Sequence, residues 1–346
     1  MKNELMTRDN FRNAVFERDE HKCVICGNPA QDAHHIIERR LWSDGGYYLN
    51  NGASLCGEHH IKAEQTILTC DDIRRAIGIE KVILPEQLYD DNEYDKWGNI
   101  LLSNGTRVKG ELFFDESVQK VMQDGDVLRF FVPYVKYPRT YHFPWSENLQ
   151  NDDRMMDDVS NFIGKEVIVT IKKDGENTSC YFDGYVHARS IDSSNHPSRN
   201  YIKNILGSVY YELPEGWRIC AENVYAKHSI KYMNLDSYLL VFSIWNEKNQ
   251  CLSWDETVEW CELLGLKTVQ PIYCGIWDEA KIKGLWETIK HGYDGEQFEE
   301  GYVVRVTDSF NYGEFRKCVG KFVRKDHVQT HAFWLKQKLE PNELKK

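Results

Sequence analysis

The sequence reads Ile171-Lys172-Lys173-Asp174-Gly175-Glu176-Asn177-Thr178 directly after the apolar run Val167-Ile168-Val169-Thr170. The apolar run predicts a buried strand. A lysine that ends such a strand, two residues before Asp-Gly, can act as a nucleophile toward a nucleotide phosphate. Lys172 and Lys173 are both candidates. Because neighbouring side chains on a strand point to opposite faces, Lys172 shares a side with Asp174.

The composition is that of a folded protein with an acidic balance. The chain has 346 residues and a formal net charge of -11, and this length suits roughly two or three domains. The charge argues against binding nucleic acid over the whole surface, although an acidic enzyme can line one groove with basic residues. No window approaches the run of about 18 apolar residues that spans a membrane, and the first residues lack a signal-peptide core. We expect a soluble, cytoplasmic protein with no membrane contact.

A paired metal-ligand pattern lies near the start of the chain. Cys23-Val24-Ile25-Cys26 is followed about thirty residues later by Cys56-Gly57-Glu58-His59, which is the spacing of a structural zinc site. Zinc would replace the core that such a small module cannot build. We therefore predict that Cys23, Cys26, Cys56 and His59 bind Zn²⁺, and that the remaining, scattered cysteines are reduced.

Histidines surround this pattern. The sequence has Ala33-His34-His35-Ile36 between the pairs, then the run from Asn51 to Cys56, and His60 after the second pair. These residues resemble the HNH nuclease family, whose fold is ββα-metal. The resemblance implies that His35 is the general base, that His34 and His60 bind a catalytic divalent ion, and that Asn51 orients His35 by a hydrogen bond.

Two departures from the commonest zinc-containing HNH pattern leave these groups in place: His59 stands where a fourth cysteine is usual, and Ala33 precedes the histidine pair. Glu64 follows His60 by one helical turn and could add an oxygen ligand. The first 80 residues are therefore predicted to be an HNH-like zinc module. It is either an active metal-dependent nuclease or a passive module that binds nucleic acid or a partner.

The middle of the chain, residues 81–135, carries few signals. Short apolar stretches around residues 100–102 and 127–132 stand beside turn glycines. We expect a linker or a small strand-rich insert there, and we predict no function for it.

Residues 136–346 show a mixed pattern. Five strand-like runs and three helical patterns alternate with turn signals, which predicts an α+β domain of antiparallel sheets with flanking helices. The strands are expected at 166–171, 179–182, 218–224, 238–245 and 302–306, and the helices at 197–213, 254–264 and 278–291. The basic stretch 283–290 and the tail 336–346 read as solvated surface.

Charged residues recur inside the apolar strands of this domain. A charge between buried apolar residues costs several kcal/mol unless it is paired or used, so such a set implies one polar cleft. Taken in order, these residues resemble the motifs of ATP-dependent RNA ligases, a resemblance that covers most of residues 136–335. The motif stretches are Lys172-Lys173-Asp174-Gly175, Arg189-Ser190, Glu222-Asn223-Val224-Tyr225, Leu240 to Trp245, Glu300 to Val304 and Lys321 to Arg324.

The resemblance assigns the roles. Lys172, not Lys173, would attack the α-phosphate of ATP and carry AMP, leaving Lys173 as a surface or substrate-facing charge. The ATP-binding residues would be Lys172, Asp174, Gly175, Arg189, Glu222, Phe242, Glu300, Lys321 and Arg324. Among them, Glu222 would accept from the ribose hydroxyls or hold Mg²⁺ or Mn²⁺, and Glu300 would hold the ion beside the phosphate. Phe242 would stack on adenine, with Tyr238 or Trp245 as alternatives. Lys321, Arg189 and the metal would supply the positive charge that keeps Lys172 neutral.

The whole chain is thus predicted to seal 5′-phosphate and 3′-hydroxyl breaks in RNA, in RNA repair or processing. Two other interpretations stay open. In one, the chain is primarily a DNA-cutting nuclease whose ligase domain modifies ends, and in the other the zinc module only guides the ligase to nucleic acid. The sequence does not separate nick sealing from end joining, or RNA from DNA.

Overall fold

The computed structural model describes residues 4–88, 92–147, 149, 153–191, 196–291, 299–325, 327 and 339–346. The chain forms two compact units, Met1–Lys136 and Tyr137–Lys346. In the described ranges, no helix combines the length and apolar character needed to cross a membrane.

The N-terminal unit begins with a helix that packs on a hairpin. Its helices are α1 (Arg8–Arg18), α2 (Gly57–Glu64), α3 (Cys70–Ala76) and α4 (Glu116–Asp124), and its strands are β1 (Asp32–His35), β2 (Gly52–Leu55), β3 (Glu93–Tyr94), β4 (Ile100–Leu101) and β5 (Arg107–Val108). The side chain of Thr7 accepts from Asn10 N and so begins α1. β1 and β2 pair antiparallel, with His34 opposite Ala53, and α2 follows β2 directly. The local order is therefore strand, strand, helix.

The core of this unit is small. Ile36, Ile37, Leu41 and Leu55 are fully buried beneath the hairpin. Residues 92–136, expected as a linker or insert, form the sheet β3-β4-β5 and helix α4, and they belong to the same compact unit as the hairpin.

The C-terminal unit is mainly strands with helices on their faces. Its helices are α5 (Ser198–Gly207), α6 (Trp254–Leu263), α7 (Glu279–Ile289) and α8 (Phe315–Cys318). Its strands are β6 (Tyr141–His142), β7 (Glu166–Lys172), β8 (Glu176–Tyr181), β9 (Val186–Ala188), β10 (Arg218–Asn223), β11 (Leu239–Trp245), β12 (Gln250–Cys251), β13 (Lys267–Thr268), β14 (Pro271–Ile276), β15 (Gly301–Val306), β16 (Phe310–Asn311) and β17 (Val319–Val323).

These strands form two sheets in the described part of the chain. One has the order β14-β7-β15-β17-β6, and the other β16-β12-β11-β10-β8-β9 with β13 beside β11. Most neighbours are antiparallel, while β6 with β17 and β11 with β13 are parallel. The predicted α+β architecture with antiparallel sheets is confirmed for this unit. The stretch 172–176 carries the chain from β7 in the first sheet to β8 in the second.

The C-terminal tail differs from the expected solvated surface. Asn342 is buried, accepts a hydrogen bond from Tyr232 N at 2.9 Å, and donates to Val224 O at 2.8 Å. Main-chain bonds extend the contact from Lys227 N to Glu340 O and from Leu235 N to Glu343 O. The tail is held there because the buried side-chain amide of Asn342 satisfies main-chain groups of the loop after β10. Residues 336–338 lie outside the described ranges.

Candidate active site and metal centres

The crossing between the two sheets brings Lys172 into the site. Lys172 ends β7, where it stands opposite Gly301 of β15. A side chain on Gly175 would meet Asn223 O at 2.6 Å, because the crossing chain runs close against β10. The glycine of the Lys-x-Asp-Gly stretch is therefore required by this close approach.

Lys172 is paired with a carboxylate in this site. Its Nζ lies 2.6 Å from Oε2 of Glu300, whose side chain is buried. Burial alone would lower the pKa of Lys172, but Glu300 and Glu222 raise it more, so the net pKa lies above the usual lysine value. The sequence had predicted that positive neighbours keep Lys172 neutral. In this arrangement the carboxylates outweigh them, and Lys172 is protonated.

Lys321 behaves in the opposite way. Burial lowers its pKa to about 8, and the charges of Lys172 and Arg189 add to the shift, although Asp153 opposes it. Lys321 Nζ lies 3.4 Å from Asp153 Oδ1, and the same oxygen lies 3.2 Å from His142 Nε2. Of the two site lysines, Lys321 is the one whose pKa lies below the usual lysine value.

Glu222 faces the same set of charges. Burial raises its pKa to about 8, with Lys172 opposing this shift and Glu300 adding to it. Glu222 stands on β10 opposite Leu240 of β11. Phe242, two residues further along β11, is half-buried and meets the ring of Tyr137 edge-on at 5.2 Å. Phe242 is thus on the strand beside Glu222, and its predicted adenine contact stays a prediction.

Asp174 is fixed by the loop after β10. Its Oδ2 accepts from Ser229 N at 2.7 Å, from Ser229 Oγ at 2.6 Å and from Ile230 N at 2.9 Å. Its Oδ1 lies 3.6 Å from His327 Nε2, which is also 3.6 Å from Glu300 Oε1. Burial would raise the pKa of Asp174, but His327 and Ser229 lower it below the usual range. Asp174, Glu300 and His327 each offer an atom within 4.8 Å of the others, a set that can hold a cation.

Lys173 and Arg324, two cations beside the site, have partners that the sequence did not predict. Lys173 Nζ lies 2.5 Å from Glu299 Oε1 and 4.6 Å from the centre of the Tyr232 ring. Lys173 is therefore a paired, half-buried residue, because the crossing chain turns it toward the residue beside Glu300. Arg324 donates from Nε to Glu299 O at 3.0 Å and from Nη1 to Lys325 O at 3.2 Å. A phosphate contact by Arg324 would have to replace these main-chain bonds.

In the N-terminal unit, the four predicted zinc ligands converge. Cys56 Sγ lies 3.8 Å from Cys26 Sγ and 3.2 Å from His59 Nδ1, and Cys23 Sγ lies 3.7 Å from the same nitrogen. Zinc-sulfur bonds of about 2.3 Å place tetrahedral ligand atoms about 3.8 Å apart. All ten cysteines lie in the described ranges and are free. The donor set thus fits Zn²⁺, and disulfides do not compete for it.

A second group of possible ligands lies on β1 and α2. Oε1 of Glu64 is 3.5 Å from His34 Nδ1 and 3.3 Å from His60 Nε2. Burial lowers the pKa of His34 to about 3, so its imidazole is neutral and able to bind a metal. Burial would raise the pKa of Glu64, but hydrogen bonds from His34 and His60 lower it below the usual range. The neutral His34 imidazole, the His60 ring nitrogen and one carboxylate oxygen fit a divalent ion with open positions.

His35 and Asn51 adjoin this group. The His35 ring stacks on Phe11 with centroids 4.6 Å apart, and burial lowers its pKa to about 4. Within the described residues, the buried Nε2 of His35 has no hydrogen-bond partner. Asn51 was expected to bond to His35. Instead its amide joins main chain, since it accepts from Ile37 N at 2.9 Å and donates to Ile37 O at 3.0 Å and to Gly46 O at 3.1 Å. Asn51 therefore fixes the loop after His35.

Several residues of both sites were not predicted from the sequence. Asp153, His142 and His327 adjoin the ligase motifs, and Lys96 adjoins His34 and His35. None of these four residues lies in a motif stretch of the sequence. Each stands alone there, without a partner at a fixed spacing, and only tertiary contacts reveal it.

One family model matches the part of the chain that holds the C-terminal site. Residues 165–323, a little under half of the chain, match the family model described as RNA ligase. They run from just before β7 to the end of β17. No curated protein sequence matches the chain.

Solved structures of ligases are similar to the chain at low identity. A Naegleria gruberi RNA ligase with ATP and Mn shares 17% identity and a TM-score of 0.39 over 55% of this chain and 58% of that one. An archaeal ATP-dependent RNA ligase shares 13% identity and a TM-score of 0.40 over 78% and 64%. A putative ATP-dependent DNA ligase from Aquifex aeolicus shares 22% identity and a TM-score of 0.34 over 48% and 46%. In the first and third comparisons the chain spans about half of the related structure.

Proposed function

We propose that the chain is an ATP-dependent RNA ligase that works through a lysyl-AMP intermediate at Lys172. The observation that carries the proposal is the position of Lys172 Nζ, held 2.6 Å from Glu300 Oε2 where the chain crosses between the two sheets. The RNA ligase match over residues 165–323 supports it. The substrate is a polynucleotide with a 5′-phosphate and a 3′-hydroxyl, and the role is repair or processing of broken RNA in the cytoplasm.

The first step transfers AMP to the lysine. The lone pair on neutral Lys172 Nζ forms a bond to the α-phosphorus of ATP, and the bond from that phosphorus to the bridging oxygen breaks. Pyrophosphate leaves with the bond electrons, and the nitrogen loses a proton to give a phosphoramidate. Because Lys172 begins protonated, it must first lose a proton, and the Glu300 carboxylate, 2.6 Å from its Nζ, lies within hydrogen-bond distance of that proton.

Two further transfers complete the reaction. An oxygen of the RNA 5′-phosphate takes the adenylyl group from Lys172, which restores the amine. The 3′-hydroxyl oxygen then bonds to the 5′-phosphorus, AMP leaves, and the hydroxyl proton is lost. Lys321, together with Arg324 or Lys317, would neutralise charge that develops on the α-phosphate.

A divalent ion fits the carboxylates of this site. Asp174 and Glu300 would be oxygen donors and His327 a nitrogen donor beside both of them, and the resemblance to RNA ligases adds Glu222 as a further oxygen donor. Bound Mg²⁺ or Mn²⁺ would neutralise phosphate charge and favour loss of the lysine proton. The residues themselves orient Lys172 through Glu300 and fix the crossing chain through Asp174.

Label transfer tests the proposal. Wild type incubated with α-labelled ATP and Mg²⁺ should become labelled, and Lys172→Ala should not. Lys165→Ala is the matched control, because Lys165 is an exposed lysine just before the same strand. If wild type takes no label, or if Lys172→Ala takes as much as wild type, the proposal is wrong.

For the N-terminal unit we propose an HNH-like, zinc-stabilised module with metal-dependent phosphodiesterase activity. The specific observation is the group His34, His60 and Glu64 beside the unpartnered Nε2 of His35, which can take a proton from water. Cleavage of RNA and DNA by wild type and by His35→Ala, with Mg²⁺, Mn²⁺ or Zn²⁺, tests it. Cleavage that is lost in His35→Ala supports a nuclease, and a wild type that never cuts supports a module that only binds nucleic acid.

A further inference from the structure

Lys96 enters the histidine site from a distant part of the sequence. It lies between β3 and β4, in the segment for which the sequence predicted no function, and it is 4% exposed. Its Nζ donates to His35 O at 2.9 Å and lies 3.1 Å from Glu64 Oε1 and 3.4 Å from Glu38 Oε2. A buried ammonium is costly unless it is paired, so these contacts are what keep the charge there.

The backbone around Lys96 is tied to the same site. Trp97 donates from Nε1 to Glu64 O at 2.8 Å, and Glu38 N donates to Lys96 O at 2.9 Å. The neighbouring Asp95 accepts from Trp97 N at 2.9 Å and pairs with Arg107 at 3.2 Å. The segment thus fixes both the ammonium and the helix turn that carries Glu64.

One carboxylate oxygen of Glu64 lies close to His34, His60 and Lys96. Glu64 Oε1 is the atom that lies nearest to His34 Nδ1, to His60 Nε2 and to Lys96 Nζ, at 3.5, 3.3 and 3.1 Å. A divalent ion held by the two histidines and Glu64 would share this oxygen with the ammonium. Two positive charges on one carboxylate repel each other, and the repulsion is larger away from bulk water.

We propose that Lys96 is a positioning residue of this site, which orients Glu64 and weakens divalent-cation binding while it supplies a second positive charge for an anionic phosphodiester. This inference rests on the proposed metal-dependent function of the N-terminal unit. It distinguishes Lys96 from a lysine that only stabilises the fold. Loss of a purely structural lysine would weaken metal binding and cleavage together, whereas loss of Lys96 should strengthen the first and weaken the second.

The test measures Mn²⁺ binding to the full chain by electron paramagnetic resonance of the free ion. The Mn²⁺ ions that wild type binds and His60→Ala does not bind are assigned to the N-terminal site. Lys96→Gln keeps a hydrogen-bond donor but removes the charge, and it should bind Mn²⁺ at that site at least about tenfold more tightly. Lys96→Arg keeps the charge and should retain wild-type affinity. Cleavage, where wild type shows it, should slow in Lys96→Gln.

A second variant acts in the opposite direction. Glu38→Gln removes one of the two carboxylates that share the ammonium, so Lys96 should pair more strongly with Glu64 and Mn²⁺ binding should weaken by several-fold. Glu38 also lies 3.3 Å from Arg40 Nε at the edge of the site. Removing the Glu38 charge therefore takes an ion-pair partner from one buried charge, that of Lys96.

The outcomes are separable. Tighter binding in Lys96→Gln with weaker binding in Glu38→Gln supports the proposal. Unchanged or weaker binding in Lys96→Gln, with an unchanged melting temperature, overturns it. If Lys96→Gln melts early, Glu38→Gln decides alone, and unchanged or tighter binding there overturns the proposal. If wild type and His60→Ala bind the same number of Mn²⁺ ions, the metal-dependent function itself fails, and the role of Lys96 fails with it.

Discussion

The two candidate sites differ in how much of the chain each one uses. The proposed N-terminal metal ligands come from residues 23–64, on one hairpin, one helix and the turn before them. The C-terminal site draws its charges from residues 153–327 and from both sheets. A site built from neighbouring residues can be seen in the spacing of a sequence, whereas a site built from distant strands depends on the whole fold.

The sites also differ in charge. In the N-terminal unit, burial keeps His34 and His35 neutral, which suits nitrogen ligands and a base. In the C-terminal unit, Lys172 and Glu300 are an ion pair, and the reaction has to release the lysine proton. In the proposed functions, the first site would hold a metal, and the second would exchange ion-pair partners when a nucleotide phosphate binds.

We expect the largest effect from replacing one of the predicted zinc ligands. Cys56→Ser should abolish zinc binding and unfold the N-terminal unit, because a structural zinc contributes about 10 kcal/mol or more to a small domain. The C-terminal unit has its own clusters of buried side chains and should keep its AMP transfer. Zinc content and thermal melting measure the effect. Cys274→Ser, an exposed position in the other unit, is the control, and a Cys56→Ser protein with unchanged melting would contradict the zinc assignment.

The next effect concerns the ion pair. Glu300→Gln removes the charge next to Lys172 and a donor for the divalent ion, so the rate of AMP transfer should fall about hundredfold or more. The rate is measured in single-turnover labelling at saturating ATP. Glu287→Gln, on the exposed part of α7, should leave the rate unchanged. A Glu300→Gln rate within threefold of wild type would remove Glu300 from the mechanism.

A smaller effect tests the tail. Asn342→Ala leaves Val224 O and Tyr232 N without their partner, and each buried unsatisfied group costs about 1 to 3 kcal/mol. The urea midpoint of the C-terminal unit should therefore fall, while Glu343→Ala at an exposed neighbouring position should change it little. Equal midpoints for wild type and Asn342→Ala would mean that the tail contributes no stability.

The smallest effect is a pH dependence within the C-terminal unit. Burial lowers the pKa of His187 to about 4, while an unfolded histidine titrates near 6.5. As the pH falls, the unfolded state thus binds the proton at a higher pH than the folded state does. The stability that neutral His187 contributes is therefore fully present above about pH 6.5 and is lost as the pH falls toward 4. Between pH 7.5 and pH 5 the loss is about 2 kcal/mol. Urea unfolding of wild type and His187→Gln measures it, and an equal pH slope in the two proteins would contradict the assignment.

Much of the site was predictable because its residues have fixed spacings. Lys172 two residues before Asp174, and the paired cysteines, were found from sequence alone, and the α+β architecture followed from the strand pattern. Lys96 and Asp153 were missed because each is a single charge that tertiary contacts bring to its partners. The pKa of Lys172 was also wrong in direction, since the sequence shows that Glu300 is present but not that it lies 2.6 Å away.

The proposed ligase reaction requires that the Lys172 nitrogen carries AMP. Wild type is incubated with ATP and Mg²⁺, digested, and its peptides are mapped by mass spectrometry for an acid-labile phosphoramidate. We predict one modified residue, Lys172, with Lys173 and Lys321 unmodified. An adduct on Lys173 or Lys321, or no adduct in a protein that still joins RNA ends, would contradict the central claim.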